Sequence, residues 1–143
     1  MHITKVVKVV NPKRLDAFKP SRSGFHVNTE RAGKEGKDTF LFHGCPPDAM
    51  TNISAEGLQL KFVGKNGTML GAGLYGAPDP RKSASYAGKH SMGKFLFICR
   101  FNLSGAEHAG PDTKHKNEIY HEYCTPDESK VVVLWQLKVE YSS

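Results

Sequence analysis

A chain of 143 residues is long enough to bury one hydrophobic core and too short to build two domains with separate cores. With 38% hydrophobic and 24% charged residues, its composition excludes a fibrous protein and a wholly disordered chain. The 20 Lys and Arg residues exceed the 14 Asp and Glu residues, and the resulting formal net charge of +6 favours anionic partners such as nucleic acid.

The sequence carries no sign of membrane insertion or secretion. No apolar run reaches the roughly 20 residues that a membrane helix needs, and residues 1–5 lack the layout of a secretory signal. The three cysteines, Cys45, Cys99 and Cys124, are widely spaced and form no C-x-x-C pair, which argues against a disulfide framework and a zinc ribbon. We therefore expect an intracellular protein, in the cytoplasm or nucleus, that is a monomer without membrane contact.

The first 38 residues predict a strand, a short helix and a loop. β-branched residues from 3 to 10 favour a strand. Asn11 is placed to cap a helix in which Pro12 is the first residue. The segment 19–38 is polar and rich in glycine, which predicts a long surface loop.

The next segment predicts a strand followed by a helix. Residues 39–43 are apolar on both faces of a short strand, which is typical of a central strand. A helix follows Pro46, because apolar residues then recur at helical spacing, and Gly57 is placed to end it.

A second strand and helix follow a glycine-punctuated segment. The brief strand is predicted at 74–75, and the helix has Asp79 as its N-cap and Pro80 as its first residue. This helix is expected to present Ser83 and Tyr86 on one face, because residues three apart are neighbours on a helix surface.

Two longer strands complete the pattern. Residues 94–102 are apolar at almost every position and predict a strand buried on both faces. Residues 131–141 alternate between apolar and more polar side chains, as a strand does. Many strands, few short helices and no regular strand–helix alternation predict an α+β fold in a single domain over residues 1–143.

Taken one at a time, the polar residues predict no metal site. His115 and His121 are six positions apart, and the second histidine of H-E-x-x-H is missing after His121. Cys45 lies near His43 in sequence, but a small buried thiol is a better interpretation than a catalytic pair. Glu122 lies in a strand-like run, where a carboxylate either faces outward or is held in a cleft.

Four short motifs occur in a definite order along the chain. They are Leu41-Phe-His-Gly44, Gly71-Ala-Gly-Leu-Tyr75, Lys82-Ser-Ala-Ser-Tyr86 and Glu122-Tyr123. This order resembles the catalytic domain of the poly(ADP-ribose) polymerase family, and the resemblance covers about the whole chain. It implies the ADP-ribosyltransferase fold, an α+β fold with split, antiparallel-rich β-sheets and short helices around an NAD⁺ cleft.

The resemblance also implies site residues. It implies that His43, Tyr75 and Glu122 form a catalytic His-Tyr-Glu triad. It further implies that NAD⁺, as the co-substrate, is held by His43, Gly44, Tyr75, Lys82, Ser83 and Tyr86. In relatives the histidine binds the adenosine ribose, the glycine and serine hold the nicotinamide amide, the tyrosines bracket the nicotinamide ring, and the glutamate engages the nicotinamide ribose and the acceptor.

Three features depart from the family pattern. Cys45 stands where relatives usually have Ser or Thr, and Gly76 replaces a commoner aromatic residue, which is expected to loosen one wall of the pocket. The segment between the strand at 94–102 and Glu122 is shorter than in relatives that build polymers, which argues against chain elongation.

The resemblance implies transfer of ADP-ribose from NAD⁺ to a macromolecular nucleophile, either a protein side chain or a nucleic acid, with release of nicotinamide. One alternative is a non-catalytic module that binds NAD⁺ or ADP-ribose. Another is an RNA-associated transferase similar to the NAD⁺-using RNA 2′-phosphotransferases, which have an Arg- and His-centred site in place of Glu122. The intact triad argues against the first alternative, and the carboxylate at position 122 argues against the second.

Overall fold

A computed structural model describes residues 2–46, 49–60, 70–84, 94–114 and 119–140, and within these ranges the chain forms antiparallel sheets and short helices. The strands are β1 (His2–Lys8), β2 (Asp38–Cys45), β3 (Leu74–Gly76), β4 (Lys94–Asn102), β5 (Glu107–Ala109), β6 (Glu122–Thr125) and β7 (Val131–Glu140). The helices are α1 (Pro12–Ala17), α2 (Thr29–Glu35), α3 (Met50–Glu56) and α4 (Pro80–Ala84), with a 3-10 turn at Glu128–Lys130. The predicted α+β class is confirmed.

The strands of the described residues form two separate sheets. The larger sheet has the order β1-β7-β4-β2, and the smaller sheet has the order β3-β6-β5. They meet where Phe42, on β2, pairs with Ala77, the residue after β3. The N–H of each residue donates to the carbonyl of the other, at 2.8 and 3.0 Å. This bridge brings β2 and β3 side by side.

Two hydrophobic clusters lie on opposite faces of the larger sheet. The first combines residues from both sheets and from α2 and α3, namely Ala32, Leu41, Cys45, Ile53, Leu58, Leu74, Phe97, Cys99, Phe101, Leu103, Tyr123, Val131 and Val133. The second packs Ala84 of α4 against Leu96, Leu137 and Val139. β4 therefore contributes to both clusters, as expected for a strand buried on both faces.

A β-bulge in β7 explains how this strand contributes side chains to both clusters. The pairing of β4 with β7 skips Leu134, which has no partner in the register. Before the bulge, Val131 and Val133 face the first cluster, and after it Leu137 and Val139 face the second. One extra residue exchanges the two faces of a strand, because side chains alternate with a period of two.

Local capping signals set the ends of three helices as predicted. The Asn11 side chain accepts a hydrogen bond from the N–H of Arg14 at the start of α1. Gly57 ends α3 with a φ of 78°, a conformation that glycine adopts readily. At α4, the Asp79 carboxylate accepts a hydrogen bond from the N–H of Arg81 at 2.9 Å.

Two expectations about β2 and its neighbourhood are wrong. The segment 19–38 is not a loop throughout, because Asn28 caps α2 and Gly36 ends it in the left-handed conformation. Only Ala32 of this helix is buried, so its sequence has almost no apolar periodicity to reveal it. β2 is also an edge strand of the larger sheet, and it is apolar because the segment containing Ala77 covers its outer edge.

Among the residues that the structure describes, no helix is long and apolar enough to cross a membrane.

Candidate active site

His43 lies on β2 and reaches across to the smaller sheet. Its Nδ1 atom is 2.7 Å from the carbonyl oxygen of Tyr75. Because a carbonyl only accepts hydrogen bonds, Nδ1 carries a proton and donates it. Burial lowers the pKa of His43 below its usual 6.5, and the bond to Tyr75 opposes this only in part. The imidazole is therefore neutral at pH 7, with its Nε2 lone pair available to accept a hydrogen bond.

Gly44 and Ser83 are in backbone contact. A Cβ atom at Gly44 would overlap the main-chain carbonyl group of Ser83, so α4 approaches β2 at a distance that only glycine permits. The Ser83 side chain is 2% exposed, and its hydroxyl donates to the carbonyl of Phe42 at 2.8 Å. The sequence motifs containing Gly44 and Ser83 are thus joined in space at one point.

The peptide groups of Gly44 face the outer edge of β2. Those of Phe42 point away from β4 and pair with Ala77. Alternate residues of an edge strand present their N–H and C=O groups to the same side, so Gly44, two residues later, presents its groups to the edge that Ala77 partly covers. An amide-bearing ligand at this edge would find one donor and one acceptor.

Tyr75 is 9% exposed, and its hydroxyl forms two hydrogen bonds with the glycine-containing segment that precedes β3. The hydroxyl donates to the carbonyl of Gly71 at 2.6 Å and accepts from the N–H of Leu70 at 2.9 Å. Burial is the main cause that raises the pKa of Tyr75 to about 12, and the neighbouring charge of Glu122 adds to it. The phenol is therefore un-ionised at neutral pH and cannot serve as a base.

Glu122 lies in the central strand of the smaller sheet and is 1% exposed. Tyr75 pairs with Cys124, two residues after Glu122. Side chains two apart on a strand share a face, so Tyr75 and Glu122 lie diagonally on the same face of the smaller sheet. Of the two environments expected for this carboxylate, an outward-facing position and a buried one, the structure has the buried one.

Two further residues, Lys82 and Tyr86, are predicted to contact NAD⁺. Lys82 lies on α4, half-buried, directly before Ser83. Tyr86, the second tyrosine of the implied nicotinamide site, lies outside the described residues.

Two residues near this site, Gly76 and Cys45, depart from the family pattern, and both are closely packed. A Cβ atom at Gly76 would lie 2.8 Å from the Phe101 ring and 2.9 Å from the Leu41 side chain. Phe101 and Leu41 therefore occupy the space beside residue 76, and the expected looseness of this wall is absent. Cys45 is 4% exposed within the first hydrophobic cluster, which agrees with its interpretation as a buried thiol.

A cavity of about 540 Å³ opens between the start of α4 and the segment before β6. Its lining comprises Pro78, Asp79, Pro80, Arg81, Ile119, Tyr120 and His121. This volume is in the range of small-molecule sites. None of the predicted site residues that the structure describes lines it, but Arg81 and His121 directly precede Lys82 and Glu122.

Two features next to this site were not predicted from the sequence. The Arg81 guanidinium lies 5.2 Å from the centre of the Tyr120 ring, a cation–π contact that joins α4 to the segment before β6. His108, Asp112 and His121 bring nitrogen and oxygen atoms together in an arrangement able to hold a metal ion. No sequence spacing indicated either feature, because the first depends on how α4 lies against the segment before β6 and the second depends on how β5 and β6 pair.

The chain matches the model of a known protein family. The family model described as the poly(ADP-ribose) polymerase catalytic domain matches residues 1–136, nearly the whole chain. None of the curated proteins compared with the chain matches it significantly.

Proposed function

The chain belongs to the poly(ADP-ribose) polymerase catalytic-domain family, and on that premise we propose that it transfers ADP-ribose from NAD⁺ to a macromolecular nucleophile and releases nicotinamide. The family uses NAD⁺ as its substrate, and the proposal concerns the activity of this chain and its acceptor. The acceptor is a protein side chain or a nucleic acid, and the formal net charge of +6 suits an anionic one.

The residues present fit NAD⁺. Its nicotinamide is a flat cationic ring that carries an amide. The peptide groups of Gly44 offer a donor and an acceptor to that amide at the outer edge of β2. The Ser83 hydroxyl donates to Phe42, so its remaining lone pairs can accept from an amide N–H. The Tyr75 ring can stack on the cation for about 0.5–2 kcal/mol.

His43 is suited to a binding role rather than to proton transfer. Its Nδ1 proton is engaged by the Tyr75 carbonyl, and burial keeps the ring neutral at pH 7. Nε2 can therefore accept a hydrogen bond from a ribose hydroxyl. The bond to Tyr75 also fixes the orientation of the ring, so that a ligand held by His43 is positioned relative to β3.

Glu122 is suited to stabilise the transition state of the transfer. NAD⁺ supplies a leaving group that departs as neutral nicotinamide, so no acid is needed to protonate it, unlike the leaving oxygen in glycoside hydrolysis. One carboxylate then suffices. Glu122 can accept a hydrogen bond from the ribose that develops positive charge, and it can take the proton of the attacking nucleophile.

The observation that carries the proposal is the placement of Tyr75. Its carbonyl holds His43 of the larger sheet, and its side chain shares a face with Glu122 of the smaller sheet. Three residues that are far apart in sequence thus converge on one short strand, β3. This convergence supports a common site for the two ribose-binding roles that the family resemblance implies.

The test measures nicotinamide release from NAD⁺ and label transfer from NAD⁺ labelled in its ADP-ribose part. Acceptors are the protein itself, a basic and an acidic polypeptide, and an RNA and a DNA with terminal phosphates. For Glu122→Gln we expect NAD⁺ affinity within about tenfold of wild type and turnover lower by about 100-fold or more, because the carboxylate acts mainly in the transition state.

Glu107→Gln is the matched control. Glu107 is exposed and pairs with Cys124 in the same small sheet, so this change removes a carboxylate from the same face without touching the proposed chemistry. We expect its turnover to stay within about twofold of wild type. Equal turnover in Glu122→Gln and wild type would refute the role of Glu122. NAD⁺ binding without any nicotinamide release by wild type would favour the non-catalytic module.

A further inference from the structure

Two histidines and an aspartate meet on the face of the smaller sheet opposite Glu122. His108, on β5, pairs with Tyr123, which neighbours Glu122 and therefore points to the other face. The His108 ring stacks on the Tyr123 ring, with centres 4.3 Å apart and planes within 6°. His121 directly precedes β6, and its ring lies against His108. Asp112 approaches from the segment after β5.

The three side chains bring their ligand atoms close together. His108 Nε2 and His121 Nδ1 are 2.9 Å apart, and His121 Nδ1 and Asp112 Oδ1 are 3.9 Å apart. All three atoms lie within 4.8 Å of one another. A tetrahedral ion with bonds of about 2.0–2.2 Å needs ligand atoms about 3.3–3.5 Å apart. The observed separations bracket this value, so small side-chain rotations would complete the geometry.

Glu30 of α2 holds one of the histidines in the orientation that a metal ligand requires. Its carboxylate lies 3.1 Å from His121 Nε2, the ring nitrogen that faces away from the cluster. A proton on Nε2 satisfies this contact and leaves Nδ1 with its lone pair directed at His108 and Asp112. Metal-bound histidines characteristically donate their other ring N–H to a carboxylate in this way. This contact is an observation independent of the cluster itself.

We propose that His108, Asp112 and His121 bind one divalent transition-metal ion of the zinc class. Two imidazole nitrogens and one carboxylate oxygen suit such ions, whereas Mg²⁺ and Ca²⁺ take mainly oxygen ligands. Both imidazoles bind as neutral ligands, and the proton that His108 Nε2 shares with His121 moves to His108 Nδ1 through solvent. The exposure of Asp112 leaves one coordination position to water.

The competing interpretation is a hydrogen-bond network without a metal. In it, His108 Nε2–H donates to His121 Nδ1, and His121 Nε2–H donates to Glu30. This network accounts for the two histidines, but it makes no use of the Asp112 carboxylate, whose Oδ1 is 3.9 Å from His121 Nδ1 and too far for a hydrogen bond. A metal ion would use the Asp112 carboxylate as its third protein ligand.

Such an ion would join the two ends of the segment between β5 and β6. His108 and Asp112 lie at its beginning, and His121 lies at its end, next to Glu122. The ion would therefore constrain the backbone that enters β6, on the face of the sheet opposite the proposed chemistry. Metal binding at this site does not depend on ADP-ribosyl transfer.

The experiment titrates the untagged, chelator-treated protein with Zn²⁺ by calorimetry and with Co²⁺ by visible absorption. We expect one Zn²⁺ per chain with a Kd of about 1 µM or tighter, and Co²⁺ bands typical of a four-coordinate site with nitrogen ligands. Excess Zn²⁺ should raise the thermal midpoint by about 3 °C or more. His108→Gln and His121→Gln should abolish these responses.

Two exposed positions keep the test decisive if the histidine variants do not fold. Asp112→Asn should weaken Zn²⁺ binding at least about tenfold, and Glu30→Gln should weaken it by about 10–100-fold. His2→Gln, which changes an exposed histidine on β1, should leave the affinity unchanged. Equal Zn²⁺ affinity in wild type and Asp112→Asn, or no visible Co²⁺ band in wild type, would overturn the proposal.

Discussion

The imidazole Nδ1 of His43 and the main-chain carbonyl oxygen of Tyr75 lie 2.7 Å apart, although the two residues are 32 positions apart in the sequence. This hydrogen bond joins the edge of the larger sheet to the smaller one. It also decides which ring nitrogen carries the proton, because the carbonyl can only accept. The pairing of Phe42 with Ala77 on the same edge keeps the two residues in register.

The burial of His43 predicts how stability depends on pH. Burial lowers the pKa of His43 in the folded state below 6.5, so the unfolded state binds more protons as the pH falls through that range. The contribution of His43 is fully present above pH 6.5 and is lost as the pH falls through the folded-state pKa. Urea unfolding at pH 7.5 and pH 5.5 should show wild type losing more stability than His43→Asn, which keeps a donor toward Tyr75.

Burial also lowers the pKa of His108, so part of the acid sensitivity should remain in His43→Asn. The relevant quantity is the difference between the two proteins. If wild type and His43→Asn lose the same free energy of unfolding between pH 7.5 and pH 5.5, then the surroundings of His43 do not keep its imidazole neutral.

A methyl group at residue 44 should damage both folding and ligand binding. In Gly44→Ala, Cβ would overlap the backbone carbonyl of Ser83, which cannot move aside as a flexible side chain can. We expect a loss of about 3 kcal/mol or more in the free energy of unfolding, and weaker NAD⁺ binding in the molecules that remain folded. Chemical denaturation and NAD⁺ titration measure the two effects.

Gly71→Ala provides the comparison. Gly71 has a φ of 93° and no atom within 4 Å of the added Cβ, so the cost there is backbone strain alone, about 1–2 kcal/mol. A smaller loss for Gly44→Ala than for Gly71→Ala would mean that α4 can move away from β2.

The Tyr75 hydroxyl should matter more for structure than for chemistry. Tyr75→Phe removes the bonds to the Gly71 carbonyl and the Leu70 N–H but keeps the ring. We expect about 1–2 kcal/mol of destabilisation and a rise in KM for NAD⁺ of less than about tenfold, with kcat nearly unchanged. A kcat that falls as far as in Glu122→Gln would assign the hydroxyl a direct role in the reaction.

An ion pair with a fully buried carboxylate should secure the segment that was expected to be a loop. Asp38 is fully buried, and its carboxylate accepts from Arg100 Nε at 2.9 Å and from the N–H of Ser21 at 2.8 Å. Asp38→Ala should destabilise the protein by about 1–3 kcal/mol, because it removes the acceptor of the Ser21 N–H and of the partly exposed Arg100 guanidinium. Glu35→Ala, which removes an exposed pair with Arg31, should cost clearly less in the same denaturation assay. Equal losses in the two variants would contradict the anchoring role of Asp38.

The sequence was a good guide wherever the signal is local. Asn11 and Gly57 were identified as helix ends because a cap depends only on residues within one turn. It was a poor guide to α2, since a helix with one buried residue has no apolar stripe. It was equally poor for β7, where the alternation continues through Leu134 while the strand changes faces at the bulge.

By itself, the sequence determined the α+β class, the approximate strands and the order of motifs that leads to the family, because these depend on short-range propensity and on residue identity. Only the tertiary structure decided that Gly44 contacts Ser83, that Tyr75 and Glu122 share a face, and that His108 meets His121. Each of these contacts depends on strand pairing and register between distant segments. A shift of one residue in that register would turn every side chain of a strand to the opposite face, and no local pattern specifies it.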